Sequence, residues 1–260
     1  MSAQSRRERQ VSRRAERKLA AERAARRKRQ LSIVAIAIGI ALVAAIVLIV
    51  VNRPGDRGIA DIKAAPALAA DLQPSGRTVG AANAPVKVIE YGDYQCPACE
   101  NFYNTVETPL FDNYVKTGKI TFEFMDFPFI GGTDSSTGMP LANSESTRAA
   151  EAAYCAMDQG KFWQFHNTLY QNQKQENSGG FTDARLTEMA RQVGLNMTTF
   201  SKCFGSPGNS QHQKDVDNMY QQGLKAGVNA TPSIFVDGTK VANNDYASVK
   251  AAIDAALAKK

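Results

Sequence analysis

Two cysteines stand two residues apart in "YQCPACE", residues 94 to 100. Cys96 and Cys99 could hold half of a metal site, staple the chain, or exchange a disulfide with another protein. A zinc site usually needs two close cysteine pairs, or one pair with suitably spaced histidines. The remaining cysteines, Cys155 and Cys203, lie 56 and 104 residues beyond Cys99, and the chain has two histidines, His166 and His212. This spacing argues against a metal, and none is expected. A disulfide closed over two residues would constrain very little chain. Dithiol–disulfide exchange fits better if the pair opens a helix. Unpaired N–H groups there, with about half a unit of positive charge, favour a thiolate. They lower a cysteine pKa from about 8.5 towards neutrality or below. Pro97 suits that place, because the first helical position needs no N–H. Cys96 is then the nucleophile and Cys99, one turn in, the resolving thiol. The chemistry needs no cofactor.

The surrounding pattern supplies such a helix. "VKVIEY" (86 to 91) is a short apolar run with β-branched residues, which reads as a strand ending just before the cysteines. From Cys96 an apolar stripe runs through Phe102, Val106 and Leu110 to Gly118, with Pro109 expected to kink it. "KITFEFMDF" (119 to 127) alternates Ile120, Phe122 and Phe124 on one face, a second strand. Residues 140 to 226 carry helical patterns only, including the alanine-rich "SESTRAAEAAYCAM". "SIFVDGTKVA" predicts a hairpin turning at Asp237-Gly238, and Tyr246, Val249, Ile253 and Leu257 share one face of a last helix.

The chain resembles the DsbA-like thiol–disulfide oxidoreductases over about residues 78 to 260, particularly their membrane-anchored bacterial members. Three features carry the resemblance: "CPAC" after a strand, "NATPSIFVDG", and Glu90 six residues before Cys96. It implies an α/β thioredoxin-like fold with an inserted helical subdomain at about 138 to 226. It further implies that Pro232 is the family's cis-proline opposite the active site, with Thr231 offering backbone to a substrate chain. An ordinary trans proline at a strand start is the bland alternative. Glu90 looks like the family's buried acid, which would relay a proton to or from Cys99. Its alternation with Val86 and Val88 favours burial over the solvent side. In one respect the sequence departs from the family: the strong oxidant has histidine between its cysteines, where this chain has Ala98. Pro97 and Ala98 therefore tune the pair, and a milder oxidant is expected.

Cys155 and Cys203 both fall in the helical block. In an oxidising compartment two remaining cysteines usually pair, giving a structural disulfide; two free thiols or a second redox relay stay open. "GGTDSSTG" (131 to 138) lacks the ending of a phosphate loop, and Phe162, Trp163 and Phe165 beside His166 read as core of the insertion.

Charge and hydropathy set the expected location. Residues 31 to 51, "LSIVAIAIGIALVAAIVLIVV", run uncharged for 21 positions, about 30 Å of helix, which predicts one N-terminal transmembrane helix. Residues 1 to 30 hold 12 Lys/Arg against 3 Asp/Glu in a chain of net charge +6, so everything beyond them is net negative. The basic tail predicts a cytoplasmic N-terminus, with the rest outside, and no nucleic-acid partner. The apolar run exceeds that of a cleaved leader, so an uncleaved anchor is expected. Residues 52 to 77, with three prolines and three glycines, read as a flexible linker.

The expected activity is an extracytoplasmic disulfide-forming oxidase acting on reduced exported proteins. The resemblance implies reoxidation by a quinone-linked membrane partner of the DsbB or vitamin K epoxide reductase type. A reductase or isomerase of the same fold is the alternative. A non-catalytic, membrane-anchored binding module or chaperone is an alternative of another class.

Overall fold

The computed structural model describes residues 38 to 43, a short helix, and residues 59 to 260. Among the described residues no helix is long and apolar enough to cross a membrane. The expected tail, and the span over 31 to 51 apart from residues 38 to 43, lie outside them. Two compact units divide at Arg57/Gly58, and the second holds the sheet and all four cysteines.

Alternating apolar residues build a five-stranded sheet around one central pair. Strand β2 (Val86–Gly92) runs parallel to β3 (Ile120–Asp126), with Val86 opposite Ile120 and Glu90 opposite Phe124. On the other edge of β2 lies β4 (Ser233–Val236), antiparallel, with Tyr91 opposite Ser233. β5 (Thr239–Lys240) closes the hairpin, where Asp237 at φ 46° and Gly238 at φ 79° take the left-handed conformations a tight turn requires. β1 (Thr78–Val79) adds the far edge on β3. The period-two pattern gives the sheet two buried faces. Val88, Glu90, Phe122, Phe124, Ile234 and Val236 point to one, and Tyr91, Met125, Phe127 and Phe235 to the other.

Helical turns run without a break over Pro97–Phe102, Tyr103–Glu107, Thr108–Leu110 and Phe111–Val115, together called α1. The second and fourth segments are π turns. Pro109 has no N–H for the carbonyl one turn back, and the ladder changes register around it rather than ending. The insertion comprises α2 (Glu145–Met157), α3 (Phe162–Gln171), α4 (Asp183–Gln192), α5 (Met197–Phe204) and α6 (Gln213–Lys225). Ser144, Thr182 and Asn196 cap α2, α4 and α5. Buried Arg148 ties these helices together. It pairs with Glu151 and Asp183 and donates to the carbonyls of Phe204, at 3.2 Å, and Gly205, at 2.8 Å. Cys155 on α2 and Cys203 on α5 are joined by a disulfide. The last helix, α7 (Tyr246–Leu257), is capped by Asp245 and buries Val249 and Ile253.

The flexible linker expected over 52 to 77 needs correction where it is described. Ile62, Ala65 and Leu72 are buried in the main core. The extended backbone between them is held by a polar stripe on α3: Lys63 N–H donates to Asn172 Oδ1 and Ala65 N–H to Thr168 Oγ1, each at 3.0 Å. Gln164 Nε2 donates to the Ala65 carbonyl at 2.9 Å, and Asp61 pairs with Arg185 and Lys174. Residues 59 to 77 are therefore a strap on the domain, which begins near residue 59 rather than 78. An extended segment has no helical period, which is why its apolar residues resemble linker composition.

Candidate active site

β2 ends at Gly92 and the chain turns into α1, with Cys96 in extended conformation at the cap and Pro97 as the first helical residue. Gly92 is required here: a Cβ on it would lie 2.5 Å from the Phe124 ring. Asp93 fixes the turn. Its Oδ1 accepts from Gln95 N–H, at 2.9 Å, and Ser146 Oγ, at 2.7 Å. Its Oδ2 accepts from the N–H groups of Phe129 and Ile130, both at 3.0 Å. Burial outweighs these bonds and raises the Asp93 carboxyl to about 6. From α3's end Gln173 donates to the carbonyls of Tyr94, at 2.7 Å, and Cys96, at 3.0 Å. The insertion thus grips the active-site turn at two points.

The two thiols are reduced and differ sharply. Cys96 keeps 7% of its surface exposed, while Cys99 is fully covered. The Cys96 thiol is lowered to about 6, chiefly because the Cys99 thiol donates to it; the amides of Cys99 and Ala98 add to this against burial. Burial, first, and the neighbouring Cys96 push Cys99 well above the usual thiol range. Pro97 and Ala98 are exposed between them. The pair can therefore present one ionised sulfur at the surface and keep one protonated sulfur beneath it.

The antiparallel pairing of β4 with β2 brings the second motif to the same edge. The Thr231–Pro232 peptide is cis, both residues are buried, and the Cys96 thiol donates to the Thr231 carbonyl at 3.4 Å. Glu90 lies on the core face of β2, 1% exposed, with the Glu107 carboxyl as the one polar side chain its oxygens meet. Burial, with Glu107 and Cys96 adding, holds its pKa well above the carboxylate range. Cys96, Cys99, Glu90, Thr231 and Pro232 thus converge, whereas Cys155 and Cys203 sit in the insertion as a disulfide. Together with His212 these two offer ligand atoms within 4.8 Å of one another, but with both sulfurs bonded to each other the set is no ligand cage.

Reading the sequence left out several neighbours. Tyr94, Asp93, Gln95, Gln173, Glu107 and His166 are all buried or half-buried around the pair. Phe162, Trp163 and Phe165 do pack in the core, yet His166 beside them faces the active-site turn. Its Nδ1 lies 3.1 Å from Tyr94 Oη. The available signal was the polar residue itself, set in an aromatic stretch that buries everything around it.

A family profile described as "Thioredoxin" matches residues 72–255. The chain is 35% identical over 191 residues to a protein named probable disulfide bond formation protein D of Bacillus cereus, covering 70% of this chain and 79% of that one. It is 27% identical over 190 residues to disulfide bond formation protein D of Bacillus subtilis, covering 69% and 76%. Among solved structures, oxidised BdbD from Bacillus subtilis superposes with a TM-score of 0.61 at 23% identity, over 76% of this chain and 99% of that one. MdbA of Corynebacterium diphtheriae, a thiol-disulfide oxidoreductase, does so at 0.55 and 20%, over 77% and 99%. These likenesses span the strand, helix and insertion that hold the two thiols, and they agree with what the unequal sulfurs can do: the chain belongs to the thioredoxin family and, within it, to the DsbA-like thiol–disulfide oxidoreductases.

Proposed function

We propose that this oxidoreductase is a disulfide-forming oxidase of exported proteins, working outside the cytoplasm through Cys96 and Cys99. One observation supports the direction: Cys96 sits at the N-terminal cap of α1, where the Cys99 thiol and the amides of Ala98 and Cys99 favour its thiolate in the reduced protein. A stabilised thiolate favours the reduced pair, so the Cys96–Cys99 disulfide is the more readily given away. In the forward reaction a substrate thiolate attacks Cys96 Sγ, the Cys96–Cys99 bond breaks, and its electron pair leaves on Cys99, which takes up a proton. A second substrate thiolate then attacks the substrate sulfur of the mixed disulfide. This forms the substrate's own disulfide and releases Cys96 as the thiolate. Thr231 would pair its backbone with the extended substrate, and Glu90 would supply the proton to Cys99.

The reduced enzyme must be reoxidised. The basic segment and the apolar run over 31 to 51 support an uncleaved membrane anchor with a cytoplasmic N-terminus. A tethered domain meets a membrane-bound, quinone-linked oxidase at raised effective concentration. DsbB-type and vitamin K epoxide reductase-type proteins are the proposed classes.

The test is the redox equilibrium of the full chain against glutathione buffers, with a Cys155→Ala/Cys203→Ala protein as control. A potential of about −120 to −180 mV is expected for a disulfide donor. A value near about −270 mV would make the protein a reductase and redirect the search to an electron donor. Retention of function in Cys96→Ser would instead indicate a binding module.

A further inference from the structure

Behind Cys99 three titratable side chains from three elements meet: Glu90 of β2, Glu107 of α1 and His166 of α3. All are buried, His166 completely. His166 Nε2 lies 3.3 Å from Glu107 Oε1, and its Nδ1 lies 3.1 Å from Tyr94 Oη. Aromatic rings wall the imidazole, with Phe124 at 4.6 Å and Trp163 and Tyr170 both at 5.0 Å between centroids. The other titratable groups facing this cluster are Cys96 and Cys99, the phenols of Tyr94, Tyr103 and Tyr170, and Asp126, which acts on Tyr94 from β3.

A histidine bonded at both nitrogens would satisfy a purely structural role. The second carboxyl does not fit that role. Glu90 faces the Glu107 carboxyl at hydrogen-bonding range in an apolar box, and its oxygens have no other partner. Two carboxyls held together away from water cannot both ionise without a large cost, and apolar side chains of like size would avoid it. The arrangement makes sense if the number of protons it holds changes during turnover.

We propose that Glu107 and His166 form, with Glu90, a buried proton store serving Cys99, in which His166 is a positioning residue acting through Glu107. This rests on exchange at the Cys96–Cys99 pair. When substrate sulfur bonds to Cys96, the disulfide breaks and its electron pair stays on Cys99. Cys99 takes the Glu90 proton, becoming a thiol. The Glu90 carboxylate draws a proton from the Glu107–His166 pair, which solvent later restores. Reoxidation runs the transfers backwards. In the neutral ring, Nε2–H donates to Glu107 and Nδ1 accepts from Tyr94. In the charged ring, Nδ1–H donates to the Tyr94 oxygen instead. Either state is accommodated without moving a heavy atom.

Histidine-selective 15N labelling of the full chain tests this, because the chain contains two histidines and His212→Asn assigns them. Ring-nitrogen spectra would be recorded at pH 7 in the oxidised and reduced proteins. The His166 nitrogen signals are expected to shift between the two redox states, and Glu90→Gln to remove the difference. His166→Gln, which keeps hydrogen bonds but no titration, should slow exchange about tenfold and flatten its pH profile, while His212→Asn leaves both unchanged. Superimposable His166 ring-nitrogen signals in the two states would overturn the proposal, even if His166→Gln fails to fold. If Cys96 and Cys99 do not exchange with glutathione at all, the site assignment itself fails first. Exchange without a redox-linked His166 shift defeats this inference alone.

Discussion

The Cys96 thiol donates to the Thr231 carbonyl across 3.4 Å, joining residues 135 positions apart. Sheet register makes this contact. Tyr91 lies opposite Ser233, so the turn leaving β2 and the loop entering β4 emerge side by side at one edge. The Thr231 backbone, at the cis peptide before Pro232, therefore lies directly beside the reactive sulfur.

Alkylation should separate the two sulfurs. With its pKa at about 6, Cys96 in the reduced protein is expected to react with iodoacetamide along a single ionisation curve, at a rate at pH 5 about tenfold below the plateau. Cys99, fully buried, stays unmodified until unfolding. Mass spectrometry of tryptic peptides reads both. Equal labelling, or a midpoint near 9, would remove the basis for a leaving and a resolving thiol.

The same shift ties stability to redox state. Folding of the reduced protein depresses Cys96 from 9.0 to about 6. That stabilisation is fully present above the unfolded value, partly present at pH 7, and lost as pH falls through 6. Cys99 moves the other way but stays protonated in both folded and unfolded chains below about pH 8, so it does not interfere. The oxidised protein has neither thiol. Its unfolding free energy, subtracted from that of the reduced protein, should therefore rise by about 1.4 kcal/mol between pH 5 and pH 7. Urea unfolding of both forms measures it, and a flat difference would refute the low thiol pKa.

Much of the site was legible because its parts are local. CPAC after an alternating strand, Thr231-Pro232 before another, and the Asp237-Gly238 turn each depend on residues within a few positions. Glu90 was legible from its place in the Val86, Val88 alternation. What escaped was assembled from distant pieces. Glu107 and His166 are 59 residues apart and approach only because α3 packs across α1. The strap over 59 to 77 escaped for a related reason: Gln164, Thr168 and Asn172 hold it, and their four-residue spacing marks a polar stripe on a helix face without saying what covers it. Edge strand β1 is two residues long, too short to show alternation.

Asp126 offers a test of buried charge. Both its oxygens lack partners, and burial raises it from 3.8 to about 7 although Arg77 pulls the other way. Its folded pKa exceeds its unfolded one, so between pH 4 and 7 the folded state binds the extra proton and stability falls as pH rises. Asp126→Asn should therefore be more stable than the parent at pH 8 by about 2–4 kcal/mol, and nearly equal at pH 4. Asp93, raised to about 6, gives a smaller slope of the same sign that persists in the variant. Denaturant midpoints across this range decide the matter. An Asp126→Asn profile parallel to the parent's would mean that Asp126 ionises normally.

The strap makes a prediction that a linker cannot. Ile62 is 5% exposed, and the backbone on either side of Ala64 is bonded to α3 through Lys63 and Ala65. Truncating a buried isoleucine to alanine removes its transfer energy and leaves a void, so Ile62→Ala should cost about 2 kcal/mol or more. In a free tether the same change would cost nothing. Asn172 is the sharper probe, since its amide accepts from Lys63 N–H and donates to the Lys63 carbonyl at 2.8 Å. Asn172→Ala should let the Lys63 and Ala65 amides exchange with deuterium far faster while amides of β2 keep their protection. Intrinsic exchange rates at Lys63 and Ala65 in the parent protein would return this segment to the linker. Gln173, the next residue, holds the carbonyl of Cys96, so loosening the strap at Asn172 also probes its support of the active-site turn. A fall in the Cys96 alkylation rate in Asn172→Ala, without global unfolding, would establish that support.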